Sequence, residues 1–156
     1  MSASGIRIRA ATDADLAAAE RLEQQTFSTH AISPRQMRYL LHNPRAIFLV
    51  ATSGRELLGD AIGLIRQQGD ARSGRIYSVV VADTHRGKGI GRKLATALVS
   101  HLLRRGVRRI YLEVEQSNAG AIHLYESLGF HPIEVLPHYY RNGAHGLRMR
   151  YQPTRR

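Results

Sequence analysis

The sequence contains no cysteine, and this absence excludes several chemistries at once. Without a thiol the chain forms no disulfide, offers no thiolate to a metal ion and has no cysteine nucleophile. Its eight histidines show no spacing typical of metal ligands, so we expect no metal site. No Gly-x-Ser-x-Gly motif is present either, which removes the sequence signal of an α/β-hydrolase triad.

Long apolar runs are also missing. No run approaches the roughly 18 to 20 residues of a membrane-spanning helix. The N-terminal residues, MSASG, lack the basic-then-apolar pattern of a signal peptide. We therefore expect a cytoplasmic protein that does not insert into a membrane.

Acidic and aromatic residues are scarce. The chain has 12 acidic residues and 23 lysines and arginines, and the resulting net charge of +11 favours an anionic partner. Aromatic residues make up 6% of the chain, too few for the stacking pattern typical of nucleic-acid recognition. We do not expect direct nucleic-acid binding as the main role. The length of 156 residues and the ordinary hydrophobic content of 43% predict a single domain over residues 1–156.

The clearest motif lies in residues 76–94, IYSVVVADTHRGKGIGRKL, which predict a strand, a glycine-rich loop and a helix. Gly87, Gly89 and Gly91 lack a Cβ atom, so a ligand can approach the backbone amides closely. The loop enters a helix N-terminus, where unpaired amides and the helix dipole favour an anion. This pattern predicts a phosphate site, although the spacing is neither that of a Walker loop nor the G-x-G-x-x-G of a dinucleotide fold.

The remaining pattern predicts an α+β chain. Because a helix connects the strand at Ile76 to the strand at residues 110–114, these two strands should be parallel and should separate at their C-terminal ends. A ligand held at the glycine loop would then extend between them toward Glu113. The other predicted elements are helices at about 13–27, from Ser33 to Asn43 and at 90–105 and 118–128, strands near 6–8 and at 46–52, 57–66, 130–135 and 146–151, and a polar loop at 67–74.

Two segments carry a family resemblance. Residues 86–91, RGKGIG, resemble the Q/R-x-x-G-x-G/A signature of GCN5-related N-acetyltransferases (GNAT). Residues 111–130, YLEVEQSNAGAIHLYESLGF, are similar to the RimI-type ribosomal-protein alanine N-acetyltransferases and the archaeal N-terminal acetyltransferases, whose pattern is LEV-x-x-x-N-x-x-A-x-x-L-Y-x-x-x-G-F. The matching positions are Leu112, Glu113, Val114, Asn118, Ala121, Leu124, Tyr125, Gly129 and Phe130.

The resemblance implies a fold and a cosubstrate. The fold would be the GNAT fold, a mixed, mostly antiparallel sheet with splayed parallel strands 4 and 5 and about four flanking helices. The cosubstrate would be acetyl-coenzyme A, with its pantetheine arm held by Asn118, Tyr125 and the backbone of Val79, Val80 and Val81. The residues implied at its pyrophosphate are Arg86, Gly87, Lys88, Gly89, Ile90, Gly91 and Arg92.

The resemblance also implies catalytic roles. Glu113 would be the general base, acting on the acceptor ammonium through water, and Tyr125 would be the general acid toward the coenzyme sulfur. With no cysteine available, the acetyl group would pass directly to the amine in a ternary complex. Each residue has an alternative: Glu113 as an exposed strand carboxylate, Tyr125 as a core aromatic and Asn118 as a helix N-cap.

The acceptor predicted from this resemblance is the α-amine of a protein N-terminus, with ribosomal proteins among the candidate substrates. A peptide α-amine has a pKa near 8, against about 10.4 for lysine, so it needs less help to become neutral. The candidate substrate-binding residues are Phe27, Tyr111, Tyr139 and Tyr140. The chain departs from these families at Ala144-His145, where an acidic residue is common, and in lacking their tryptophan-containing loop.

Two other functions stay open. One is acetylation of a small amine such as an amino acid, an antibiotic or a polyamine, although a chain of charge +11 suits a polycation poorly. The other is a catalytically weak acetyl-coenzyme A sensor or an RNA-associated module. We expect a monomer or a homodimer.

Overall fold

A computed structural model of the chain describes residues 5–26 and 32–152. Over these residues the strands form one seven-stranded sheet in the order β1-β2-β3-β4-β5-β7-β6. The strands are β1 (Arg7–Ala10), β2 (Ala46–Ser53), β3 (Glu56–Gln68), β4 (Ala71–Val81), β5 (Arg109–Glu115), β6 (Phe130–Leu136) and β7 (Gly146–Tyr151), and the α-helices are α1 (Leu16–Thr26), α2 (Pro34–His42), α3 (Ile90–Arg104) and α4 (Ala119–Ser127).

Helices α2 and α4 begin where the sequence supplies a side-chain cap. Ser33 Oγ accepts a hydrogen bond from the Gln36 amide at 3.1 Å, with Pro34 at the first helical position of α2. Asn118 does the same for α4, accepting from the Ala121 amide at 3.1 Å. These local signals explain why the predicted starts of both helices are confirmed.

The sheet is packed on both faces. On one face, α3 and α4 bury a large apolar cluster that includes Leu94, Leu98 and Phe130. On the other, α1 and α2 cover a smaller cluster around Met37 and Ile62. Where both faces are covered, as along β2, the central residues of the strand are all buried, whereas β5 alternates between buried and partly buried residues.

The fourth and fifth strands are the parallel pair, as predicted. Their pairing comprises four residue pairs, from Ser73 with Arg109 to Ile76 with Leu112. Beyond that point β4 continues to Val81 and β5 to Glu115 without pairing to each other. The other neighbouring strands pair antiparallel, so the mixed, mostly antiparallel sheet with four helices is confirmed.

The prediction of a polar loop at residues 67–74 is wrong. Strands β3 and β4 continue pairing as far as Gln68 with Ala71, and only a tight turn at Gly69-Asp70 separates them. Gly69 has φ 61°, a left-handed conformation that glycine adopts without a Cβ clash. Gln67, Gln68 and Arg72 are exposed, so this end of the hairpin carries no apolar alternation that would mark a strand in the sequence.

Within the described ranges, every helix is either too short or too polar to cross a membrane.

Candidate active site

The site is built where β4 and β5 separate. A cavity of about 940 Å³ occupies the gap, with β4 from Arg75 to Val79 on one side and β5 from Leu112 to Glu115 on the other. The start of α4 and the segment between β6 and β7 close its sides. Since strands that diverge leave their facing backbone edges unpaired, the gap can accept an extended ligand.

The glycine-rich loop lies at the end of β4 and presents free amides. The backbone N–H groups of Gly87 to Arg92 donate no hydrogen bond to any described residue. Gly87 and Gly89 have φ of 82° and 80°, and a Cβ atom added to either would meet no atom within 4 Å. The loop therefore offers consecutive donors and open space at the N-terminus of α3, which suits a diphosphate.

The positive charge beside this loop is only partly neutralised. Arg86 is paired with Asp83 at 3.1 Å and its Nε donates to the Val81 carbonyl at 3.3 Å. Lys88 and Arg92 are exposed, and neither of them forms an ion pair with another described residue. Ile90 and Gly91 form the first turn of α3, where Ile90 is buried and anchors the helix.

The three valines predicted to meet the cofactor lie on the separated part of β4. Val79 lines the cavity, whereas the Val80 side chain is buried. All three residues pair with β3, and none of them pairs with β5. Their backbone is thus positioned beside the gap, which is what a backbone role requires.

Tyr125 combines the two roles considered from the sequence. Its side chain is buried and its ring packs against Phe130, with centroids 5.6 Å apart and an interplanar angle of 68°. It also lines the cavity, and no described residue makes a hydrogen bond to its hydroxyl. Burial raises the pKa of this phenol, so it stays protonated at physiological pH.

Asn118 is both a helix cap and a cavity residue. Its Oδ1 accepts from the Ala121 amide, while its side-chain NH₂ has no partner among the described residues. The residue lines the same cavity as Tyr125. A cap that uses only the carbonyl oxygen leaves two donors for a ligand.

Glu113 is held by two arginines, a feature that the sequence did not reveal. Its Oε1 lies 2.7 Å from Arg75 Nη2, its Oε2 lies 2.9 Å from Arg148 Nε, and its side chain is only 7% exposed. Arg148 also pairs with Glu134 at 3.2 Å, and the Glu113 carboxylate raises the pKa of Arg148. The exposed-carboxylate alternative therefore does not describe this side chain.

Arg75 links Glu113 to Tyr139, another residue that lines the cavity. Its Nη2 also donates to the Tyr139 hydroxyl at 3.2 Å, and its guanidinium lies 5.1 Å from the centre of the Tyr77 ring. No local sequence signal marks Arg75 or Arg148, because they meet Glu113 through strand pairing across 38 and 35 positions of the chain.

The predicted acceptor residues are only partly brought together. Tyr139 and Tyr140 line the cavity with their rings 4.9 Å apart, and burial is the main cause that raises the pKa of Tyr140 to about 12. Tyr111 pairs with Arg150 on β7 and does not line the cavity. Phe27 lies outside the described residues.

Three buried polar residues in or next to the cavity were also not predicted from the sequence. Glu23 and Asp60 are fully buried, and Ser78 Oγ donates to Glu23 Oε2 at 2.7 Å. Burial is the main cause that raises the pKa of Asp60, and the neighbouring Glu23 carboxyl adds to it. Glu23 and Ser78 line the cavity, whereas Asp60 lies behind them.

Comparison with known proteins assigns the family. Residues 14–130 match the model of the acetyltransferase (GNAT) family. The chain belongs to this family. The matched range contains the glycine loop, both separated strands and α4, so the GNAT assignment covers most of the candidate site.

Three acetyltransferases are among the curated proteins that this chain resembles. The chain is 36% identical over 96 residues to N-alpha-acetyltransferase MAK3 of Arabidopsis thaliana (59% of this chain, 50% of the relative). It is 42% identical over 65 residues to the ribosomal protein bS18-alanine N-acetyltransferase of Escherichia coli K12 (42% and 44%). It is 34% identical over 115 residues to mycothiol acetyltransferase of Thermobispora bispora (72% and 38%). The chain spans about half or less of the length of these relatives.

A solved structure extends the likeness over nearly the whole fold. The ribosomal-protein-S18-alanine N-acetyltransferase from Escherichia coli superposes with a TM-score of 0.79 at 28% identity, covering 94% of this chain and 92% of that one. The arrangement of the seven strands is therefore shared beyond the segments that align by sequence.

Proposed function

We propose that this protein is an acetyl-coenzyme A-dependent N-acetyltransferase that acts on the α-amine of a protein N-terminus. The observation that carries the proposal is a cavity between β4 and β5 that extends from Arg86, the residue before the unbonded amides of the glycine loop, to Glu113 and Tyr125. All of these groups lie on one sheet and its helices, which supports a single catalytic domain. Membership of the GNAT family supports the reaction class.

The coenzyme would bind by its diphosphate first. The amides from Gly87 to Arg92 would donate to its oxygens, and Arg86, Lys88 and Arg92 would contribute positive charge. The pantetheine arm would lie along the backbone of Val79 to Val81, where β4 has no partner on the β5 side, with Asn118 donating from its free NH₂. When bound, the coenzyme supplies the acetyl thioester.

Glu113 would accept a proton from the acceptor ammonium, through a water molecule, to produce the neutral amine. Both of its oxygens are already bonded to guanidinium groups, so Arg75 and Arg148 fix the carboxylate in place but also compete with that proton. The neutral amine then attacks the thioester carbonyl: the C–N bond forms, the C–S bond breaks, and the nitrogen loses its second proton to the surrounding water.

Tyr125 would stabilise the departing sulfur. A thiol has a pKa of about 8.5, whereas burial raises the pKa of this phenol above its ordinary value of 10. Complete transfer of the proton to the thiolate is therefore uphill, and a hydrogen bond from the hydroxyl to the sulfur is the role that the raised pKa favours. The thiolate can then take its proton from solvent.

An α-amine is the acceptor that the relatives' names support. MAK3 is named an N-alpha-acetyltransferase, and the Escherichia coli relative is named a ribosomal protein bS18-alanine N-acetyltransferase. The lower pKa of an α-amine also suits a base that is shared with two cations. Tyr139 and Tyr140 would border the peptide.

A small amine is the second candidate, favoured by the mycothiol acetyltransferase match, which covers 72% of this chain. The two can be separated by incubating the protein with acetyl-coenzyme A and either N-terminal peptides or small amines, and by measuring the acetylated product by mass spectrometry. Turnover of peptides supports the first candidate, and turnover of small amines alone overturns it. Coenzyme binding without any product in either set would leave only the sensor function.

A further inference from the structure

Arg75 lies between the candidate base and the open part of the cavity. Its Nη2 is 2.7 Å from Glu113 Oε1 and 3.2 Å from the Tyr139 hydroxyl. The side chain is 37% exposed and lines the cavity, and its Nε is buried without a hydrogen-bond partner in the described part of the chain. It therefore has donor capacity that the protein does not use.

The second arginine at Glu113 is held differently. Arg148 bonds Glu113 on one side and Glu134 on the other, and it does not line the cavity. Arg148 thus keeps the Glu113 carboxylate in position from behind. Arg75 approaches the same carboxylate from the cavity side, where a substrate would enter.

The charges around Glu113 disfavour a purely cationic acceptor. Two guanidinium groups lie within hydrogen-bond distance of one carboxylate, and an incoming ammonium would be repelled by both. An acceptor that carries its own carboxylate would offset this repulsion. It could also take the place of Glu113 at Arg75, so one ion pair would be exchanged for another.

We propose that Arg75 binds a carboxylate within the first two residues of the acceptor, and that this exchange frees Glu113 Oε1 to receive the proton of the α-amine. The inference rests on the proposed function, because it names the substrate class of that site. One extended residue spans roughly 3.5 Å, so an acidic side chain at the first or second position can reach Arg75 while the amine stays near Glu113.

The test compares acceptor peptides that differ only at the second residue. The unmodified protein is given saturating acetyl-coenzyme A and peptides with glutamate, glutamine or lysine at that position, and kcat/KM is measured for each. We expect the glutamate peptide to exceed the glutamine peptide by about tenfold, with the lysine peptide lowest, as a charge-assisted hydrogen bond predicts. Peptides with aspartate at the first position, and free amino acids, distinguish the source of the carboxylate.

Two variants localise the effect. R75Q should bring the ratio of glutamate to glutamine peptides to about one, while R150Q should leave it unchanged. Arg150 is the matched control because it lies on the same face of the sheet two positions from Arg148, yet does not line the cavity. The readout is a ratio between peptides, so any change in general activity cancels.

The possible results distinguish a failure of the proposed Arg75 role from a failure of the proposed N-terminal acetylation. Equal kcat/KM for the three peptides would overturn the role of Arg75 and leave N-terminal acetylation standing. An acidic preference that survives R75Q would also overturn it. If no peptide were acetylated, the proposed function would fail and this inference with it.

Discussion

Arg148 faces Glu113 directly across the antiparallel pair β5–β7 and donates from Nε to Glu113 Oε2 at 2.9 Å. The candidate base is thus fixed by a neighbouring strand rather than by its own surroundings on β5. Its other oxygen pairs with Arg75 on β4, so side chains from the three neighbouring strands β4, β5 and β7 meet at this carboxylate.

Replacement of Glu113 by glutamine should abolish most turnover. E113Q keeps the size of the side chain and an oxygen for one arginine but cannot accept the proton, so we expect kcat/KM to fall by about 10²- to 10⁴-fold. The matched control is E134Q, which removes the other, exposed partner of Arg148. E134Q should stay within about twofold of the parent. Full activity in E113Q would remove Glu113 from the mechanism.

Tyr125 can be tested for a catalytic as opposed to a packing role. Y125F retains the ring that packs on Phe130 and removes only the hydroxyl, for which the described residues supply no hydrogen-bond partner. We expect kcat to fall by about 10²-fold, while the free energy of unfolding changes by less than about 1 kcal/mol. Steady-state kinetics and urea denaturation measure the two quantities. A purely structural tyrosine would give the parent's kcat.

The buried Asp60 predicts a pH dependence of stability. Burial and the nearby Glu23 raise its pKa in the folded state, so the folded protein holds this proton more tightly than the unfolded chain. Its contribution to stability is therefore fully present below the unfolded pKa of about 3.9 and is lost as pH rises toward the raised folded pKa.

The matching variant is D60N, which cannot ionise. The free energy of unfolding of the parent, measured in urea between pH 5 and pH 8, should decrease relative to that of D60N as pH rises. The difference between the two proteins cancels the contribution of groups that titrate independently of Asp60, such as Asp15, whose pKa the hydrogen bond from Arg9 lowers. A difference that is constant with pH would show that Asp60 is ionised in the folded protein throughout.

The charges beside the glycine loop should control coenzyme affinity. K88Q combined with R92Q removes two exposed cations near the free amides, and we expect the Kd of coenzyme A to rise by about threefold to tenfold. The dependence of Kd on salt should also become weaker. R108Q combined with R109Q removes the same charge beyond the other end of α3 and should leave Kd nearly unchanged. Equal effects of both pairs would argue against a diphosphate at the loop.

Features with a local signal could be predicted from the sequence. The Ser33-Pro34 helix start and the strand–loop–helix unit of residues 76–94 depend on neighbouring residues, and both are confirmed. The parallel pairing of β4 and β5 could also be predicted, because two neighbouring strands joined by a helix rarely pair in any other direction. The grouping of Asn118 and Tyr125 at one cavity agrees with their helical spacing.

Features that depend on register could not be predicted. Arg75 and Arg148 lie in strands whose alignment with Glu113 is set by the whole sheet, and nothing beside them in the sequence marks the contact. The same holds for Glu23 and Asp60, which meet between a helix and a distant strand. The hairpin at residues 67–74 was missed because its strands have no apolar face.

The short pairing between β4 and β5 has a mechanical consequence. Among the described residues, four residue pairs form the strand pairing between the half-sheet β1–β4 and the half-sheet β5–β7, and Arg75 and Glu113 belong to different halves. A coenzyme lying in the gap would act as an additional strand and stiffen this joint. The first ligand to arrive would therefore help to align the residues that receive the second, which favours an ordered sequence in which coenzyme precedes acceptor.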